Sequence, residues 1–198
     1  MMMSYAAGLG TGLSLIVAIG AQNAFVLKQG LMRRHVFWVC LFCALSDAAL
    51  ILLGVTGMTH VVALAAWLAD AMRWAGVAFL VWYGARSFRA AWHGGHALRP
   101  QGDGATLGRT LAMIAALTWL NPHVWLDTVV LLGAVSAGWP DPLVFGLGAM
   151  TGSLLFFFAL GYGARLLAPV FARPRAWQVL ELGIGIVMWS IALTLIVN

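Results

Sequence analysis

The stretch VFWVCLFCALSDAALILLG, residues 36–54, decides the fold of this chain. Crossing a bilayer takes roughly 20 predominantly apolar residues, and this run, extended to residue 58, supplies them with Asp47 as its one charged side chain. It also begins a pattern. Ser46 and Gly54, followed by Gly76 and Trp82, are answered 107 positions later by Ser153, Gly161, Gly183 and Trp189, with intervals of 8, 22 and 6 residues kept. The chain reads as a doubled unit of membrane-crossing helices.

The same composition continues outward. Hydrophobic residues make up 63% of the chain and charged residues only 9%, against about 25% in a soluble domain. Six apolar runs emerge, at about 4–27, 36–58, 63–88, 108–136, 142–166 and 177–197. Polar and apolar residues do not alternate, so a lipid-facing barrel has no support and an all-α membrane bundle of six transmembrane helices is expected.

Basic residues orient the bundle. Lys28, Arg33 and Arg34 lie at the first link, Arg86, Arg89, Arg99 and Arg109 around the third, and Arg165, Arg173 and Arg175 around the fifth; Arg73 alone is left over. Positive loops stay cytoplasmic, so these links face inward and both termini face outward in a multi-pass protein. The net charge of +5 therefore reports topology, and no nucleic acid partner is expected. No basic segment precedes the apolar start, Met1 to Leu15, so a cleaved signal peptide is not expected.

Each half holds three crossings, an odd number, so the second half inserts from the opposite side. That is an inverted repeat, the arrangement from which alternating access is built: 1–91, a cytoplasmic linker at 92–107, and 108–198. The linker, with Gly94, Gly95, Pro100, Gly102 and Gly104, reads as a hinge or tether. The first runs of the halves align at a different offset, 98, which sets Asn23 opposite Asn121 and Val26 opposite Val124. A turn at Trp139-Pro140-Asp141-Pro142 absorbs the difference. Small-residue pairs such as Gly8 with Gly12, Gly54 with Gly57 and Gly161 with Gly163 suit close helix packing in lipid.

The first and fourth runs carry helix breaks. Pro122 removes a backbone donor and clashes with the preceding turn; Gly20, before Gln22 and Asn23, supports a matching interruption. Freed backbone groups must be satisfied inside the protein or by ligand. Asn23 and Asn121 each offer a donor and an acceptor, as a zwitterionic amino acid requires, and Gln22 either joins them or braces the broken backbone.

Ionisable groups deep in the apolar runs complete the candidate set. A charge at the depth of Asp47 costs about 2.5–3.5 kcal/mol on insertion scales, so it needs a cation, a proton or water. Arg73 is its expected partner, as a static ion pair or a gate. Asp127 is a candidate for attracting a cationic substrate, and with Asp47 and His123 it forms a candidate proton relay. Glu181 sits near the inner boundary, where it faces headgroups or pairs with Arg175.

Other readings are weaker. Cys40 and Cys43 have CxxC spacing inside an apolar run, where buried packing is favoured over redox or metal chemistry. Trp38, Trp92, Trp139 and Trp177 fall at boundaries as interfacial anchors, while Trp82 and Trp189 read as repeat-related core. Phe156-Phe157-Phe158 reads as packing or lipid-facing bulk. Walker, dinucleotide-binding and HExxH motifs are absent, so no cofactor, no metal site and no enzyme chemistry is expected.

Three segments carry a family resemblance. Gly20-Ala21-Gln22-Asn23-Ala24-Phe25-Val26-Leu27-Lys28-Gln29-Gly30 resembles the first-span signature of the lysine/arginine exporters. The likeness continues through Cys43-Ala44-Leu45-Ser46-Asp47 and Trp82-Tyr83-Gly84, and resumes at Leu120-Asn121-Pro122-His123-Val124-Trp125-Leu126-Asp127-Thr128. The resemblance implies a secondary exporter of basic amino acids, arginine favoured over lysine, driven by the proton motive force. It also implies a functional Asp47–Arg73 pair. Homoserine and threonine exporters usually have a proline-containing motif where this chain has Gly20-Ala21-Gln22-Asn23. Export of such neutral amino acids is the alternative within transport; a non-transporting membrane scaffold or a thiol-redox protein is the alternative outside it. A homo-oligomer is left open, and membrane lipids are the surrounding partner.

Overall fold

The computed structural model describes residues 1–17, 20–57, 66–92, 105–167 and 169–197. Over these residues the regular structure is helical. In order come α1 (Met2–Ile16), α2 (Ala21–Met32), α3 (Val36–Val55), α4 (Ala66–Trp92), α5 (Leu107–Trp119), α6 (Pro122–Trp125), a π turn (Leu126–Leu131), α7 (Leu132–Ala137), α8 (Pro142–Gly163) and α9 (Pro174–Val197). Short 3-10 turns follow α8 at Ala164–Leu167 and Val170–Ala172. Pro122, Pro142 and Pro174 open their helices, where the missing N–H has no intrahelical partner to lose. Between α2 and α3, Arg33 and His35 adopt left-handed backbone (φ 53° and 51°), which reverses the chain in a short link.

Three helical segments are long and apolar enough to cross a bilayer. They are Val36–Val55, Pro142–Leu167 and Pro174–Val197, with mean hydropathies of 2.4, 2.1 and 2.1. Helices α1 and α2 supply a fourth if they form one span, bent by 82° at its break. The expected count of six is therefore reached only in part among the described residues. The breaks explain much of the difference, since they divide the fourth run into α5 and Pro122–Ala137, each shorter than a crossing. Helix α4 has the length, 27 residues, but Asp70, Arg73, Arg86 and Arg89 lower its apolarity. The expected hinge at 93–104 and the outer turn at 58–62 lie outside the described residues.

Contacts fix the relative directions. Helix α1 runs alongside α8 in the same sense, from the Met1 ammonium at Asp141 (3.1 Å) to Gly12 against Ala149. Helix α3 runs against α8: Cys40 meets Phe157, Asp47 meets Ser153, and Val55 meets Gly146. The broken α5–α7 segment follows α3 in the same sense, with His35 beside Ala105, Ser46 beside Trp119 and Gly54 beside Val129. Helices α4 and α9 pair antiparallel, through Phe88 at Gly185, Trp189 at Gly84 and Arg73 at Ile196.

Two close approaches exchange partners between the halves. A Cβ on Gly133 of α7 would lie 2.7 Å from the carbonyl oxygen of Gly54 on α3. Its counterpart is on the other side, where Gly30 of α2 packs on the carbonyl of Gly161 on α8. Gly54 and Gly161 are repeat-related, so the same kind of contact is made twice with the halves swapped. Of the expected small-residue pairs, Gly8 and Gly12 do face α8, whereas Gly57 and Gly163 meet nothing within 4 Å.

The main core gathers Phe25, Val26, Val39, Leu80, Tyr83, Ile114, Phe157 and Met188. Cys40 and Cys43 are free thiols buried within it, and the Cys40 Sγ donates to the Phe157 carbonyl at 3.1 Å. Many large apolar side chains stand on the outside, as a lipid-immersed surface allows. Trp82 and Trp189 are among them, about half exposed, so their reading as core residues is corrected. Trp189 lies along the α4–α9 seam with its Nε1 donating to the Val81 carbonyl at 3.2 Å, which leaves one side of the ring outside. Trp38 and Trp92 are exposed near helix ends, but Trp177 is buried with its Nε1 donating to the Phe171 carbonyl at 2.7 Å.

Candidate functional site

The site is built where α2 begins. Gly20 is extended (φ −110°, ψ 173°) and caps α2 without a side-chain bond, so the first-turn N–H groups have no intrahelical acceptors. Asn23 ties the break together, its Nδ2 donating to the Ile16 carbonyl at 2.7 Å. Gln22, one residue earlier in that first turn, is buried against Cys43 and Asp47 of α3. Its Nε2 nonetheless completes no hydrogen bond.

Asp47 is 3% exposed. The hydroxyl of Ser153 on α8 donates to its Oδ2 at 2.7 Å, and the Gln22 side chain from the first turn of α2 lies beside it. A buried carboxylate needs such donors, because an uncompensated one is costly. The neighbouring Ser46 accepts from the indole Nε1 of Trp119 at 3.2 Å, which brings the second helix break to the same level.

That second break is capped rather than open. Asn121 is extended (φ −99°, ψ 105°), and its side chain accepts from the N–H of His123 at 3.1 Å, with Pro122 in the first helical turn. The Trp119 carbonyl freed by the break accepts from the Trp125 indole at 3.1 Å. Asn121 is buried, so both breaks lie beside α3, with Asn23 bridging the first and Asn121 capping the helix after the second.

Two sequence expectations are corrected here. Asp47 and Arg73 are not paired in this structure. Arg73 donates through Nη2 to the Ile196 carbonyl at 3.2 Å and lies over the Trp74 ring, with its Nε buried and unpartnered. The reason is packing: α4 lies against α9, so its side chains are carried away from α3. Glu181 also has a different partner from the expected Arg175. It pairs with Lys28 of α2, and both side chains are largely buried.

Asp127 falls on the exposed side of the π turn, while Thr128 and Val129 of that turn are the buried residues, facing Gly54. His123, one turn earlier, is within electrostatic reach of Asp127. These two therefore form a separate pair outside the Asp47–Gln22–Ser153 cluster. Sequence reasoning missed Ser153 as the donor to Asp47. The repeat had singled out Ser153 as the counterpart of Ser46, but a sequence interval carries no statement of contact. Among the described residues no group of three or more His, Cys, Asp or Glu side chains is placed to hold a metal ion.

Comparison with known proteins fits this arrangement of broken helices around buried polar groups. Residues 13–198 match the family described as LysE type translocator. The Arginine exporter protein ArgO of Escherichia coli K12 is 40% identical over 195 residues, covering 96% of this chain and 92% of its own. That of Pectobacterium carotovorum is 40% identical over 187 residues, with 93% and 92% covered. That of Salmonella schwarzengrund is 38% identical over 199 residues, with 98% and 94% covered. No solved structure matches. This chain belongs to the LysE type translocator family.

Proposed function

We propose that this chain is a secondary transporter that exports basic amino acids, L-arginine foremost, from the cytoplasm across a bacterial-type inner membrane. It is a transporter and not an enzyme. The carrying observation is near full-length similarity to arginine exporter proteins, joined to a buried carboxylate set against the start of a broken helix.

In this reading the two halves, 1–91 and 108–198, are oppositely inserted three-helix units joined by the 92–107 linker, with six crossings and both termini outside. The alternating helix directions and the swapped Gly54–Gly133 and Gly161–Gly30 contacts support it. The positive end of α2, with Gln22 and Asn23, receives the substrate carboxylate. Asp47 receives its positive charge, and Asn121 closes the site from the second break. Asp47 belongs to the first half and its donor Ser153 to the second. Substrate binding to Asp47 replaces that bond and lets the halves separate.

Moving one positive charge outward against 100 mV, inside negative, costs about 2.3 kcal/mol, so export needs an opposing proton. His123 and Asp127 are the relay assigned to it, with Asp47 the final acceptor. Arg73 holds α4 to α9 in the present state and exchanges toward Asp47 in another, which retains the gating role on a different conformation.

Counterflow in proteoliposomes tests the reading. Labelled L-arginine should exchange with internal L-arginine and L-lysine, and L-homoserine should not. Equal exchange of homoserine or threonine would select the neutral branch instead, and no flux of any amino acid would select a scaffold.

A further inference from the structure

The cycle above leaves the Lys28–Glu181 ion pair unused. It is largely buried, with side chains 21% and 11% exposed. It also joins α2 of the first half to α9 of the second, at the end of the bundle where the basic links lie. Moreover, it leaves Glu181 half satisfied: Oε1 takes the Lys28 ammonium, while Oε2 is buried without a hydrogen-bond partner.

A structural salt bridge is poorly served by this geometry, because a buried carboxylate oxygen with no donor costs free energy. A guanidinium would serve it better. Its planar fork presents parallel N–H donors to both carboxylate oxygens, whereas an ammonium is a compact point charge. The surroundings suit such a group. Tyr83 of α4 is within electrostatic reach of both Glu181 and Arg86, and Trp177, with Leu31, forms an apolar cluster at the same end.

Resting on the export reading above, we propose that Glu181 first captures the cationic side chain of a basic amino acid before that charge passes to Asp47, and that Lys28 is its internal stand-in. The arriving guanidinium takes both oxygens and displaces the Lys28 ammonium. That uncouples α2 from α9, and α2 is the helix whose first turn holds Gln22 beside Asp47. Substrate capture at one end of α2 is thereby connected to the site at the other.

Equilibrium binding of labelled L-arginine to purified protein in nanodiscs provides the test. Lys28→Arg keeps the ion pair but supplies a forked stand-in that competes better. It should weaken arginine binding roughly tenfold with a melting temperature at or above that of wild type, as expected for one stronger charge-assisted bond to displace. Glu181→Gln should weaken binding by roughly tenfold or more. A Lys28→Arg protein that binds like wild type overturns the proposal, as does a folded Glu181→Gln protein of unchanged affinity. If Glu181→Gln is not monodisperse, Lys28→Arg decides alone. A wild-type protein that binds no arginine overturns the export reading as well, whereas wild-type binding with unresponsive variants removes only this site.

Discussion

Asp47 is held in the apolar interior by one hydroxyl from the other half of the chain, with Gln22 of α2 beside it. The balance is testable by separating charge from shape. Asp47→Asn keeps the volume and still accepts from Ser153, so its melting temperature should stay near wild type while arginine counterflow falls at least about tenfold, the worth of one charged bond. Near-normal flux would remove Asp47 from the site. Ser153→Ala takes away a buried donor and should cost about 1–3 kcal/mol of stability, read from denaturant unfolding in detergent. At this scale the sequence made Asp47 conspicuous, because a lone charge in an apolar run demands an explanation. It did not reveal the partner. Being the one basic residue left over from the inward links made Arg73 look suitable, but that says nothing about which helix α4 packs against.

Elements are set by breaks and by close backbone contact. The Asn-Pro break was legible, since proline forbids an unbroken helix and asparagine is a strong cap. Gly20 proved to be the residue just before α2, as expected. The π turn that follows α6 has no residue signature, so only the structure reveals it. The contact between Gly54 and Gly133 sets how closely α7 approaches α3, and it predicts a contrast between two glycines. Gly133→Val overfills the contact and should destabilise the protein by about 1–3 kcal/mol. Gly163→Ala, which meets open space, should change stability by no more than about 0.5 kcal/mol. Thermal unfolding of the two variants side by side checks it, and equal losses would show that the contact does not limit packing.

At the scale of the whole molecule, the glycine contacts at Gly54 and Gly161 each join the two stretches that the doubled sequence pattern relates, as the proposed two-part construction requires. The interval pattern itself was legible, because small residues and tryptophans keep their spacing. The number of crossings was less so, since a broken span and a charge-bearing α4 both blur an apolar tally. Orientation is open to direct measurement. Cys40 and Cys43 are fully buried, so single cysteines added at each terminus would dominate labelling by a membrane-impermeant maleimide. Both ends should react in intact cells; reaction at one end alone would require an odd number of crossings. The π turn at Leu126–Leu131 gives this construction some slack, because it winds more residues into a turn than the helices on either side. Losing one residue there would restore ordinary winding and leave Gly133 facing Gly54. Losing one from α8 would swing everything after it by about 100°. Single-residue length differences among related sequences should therefore gather at that turn.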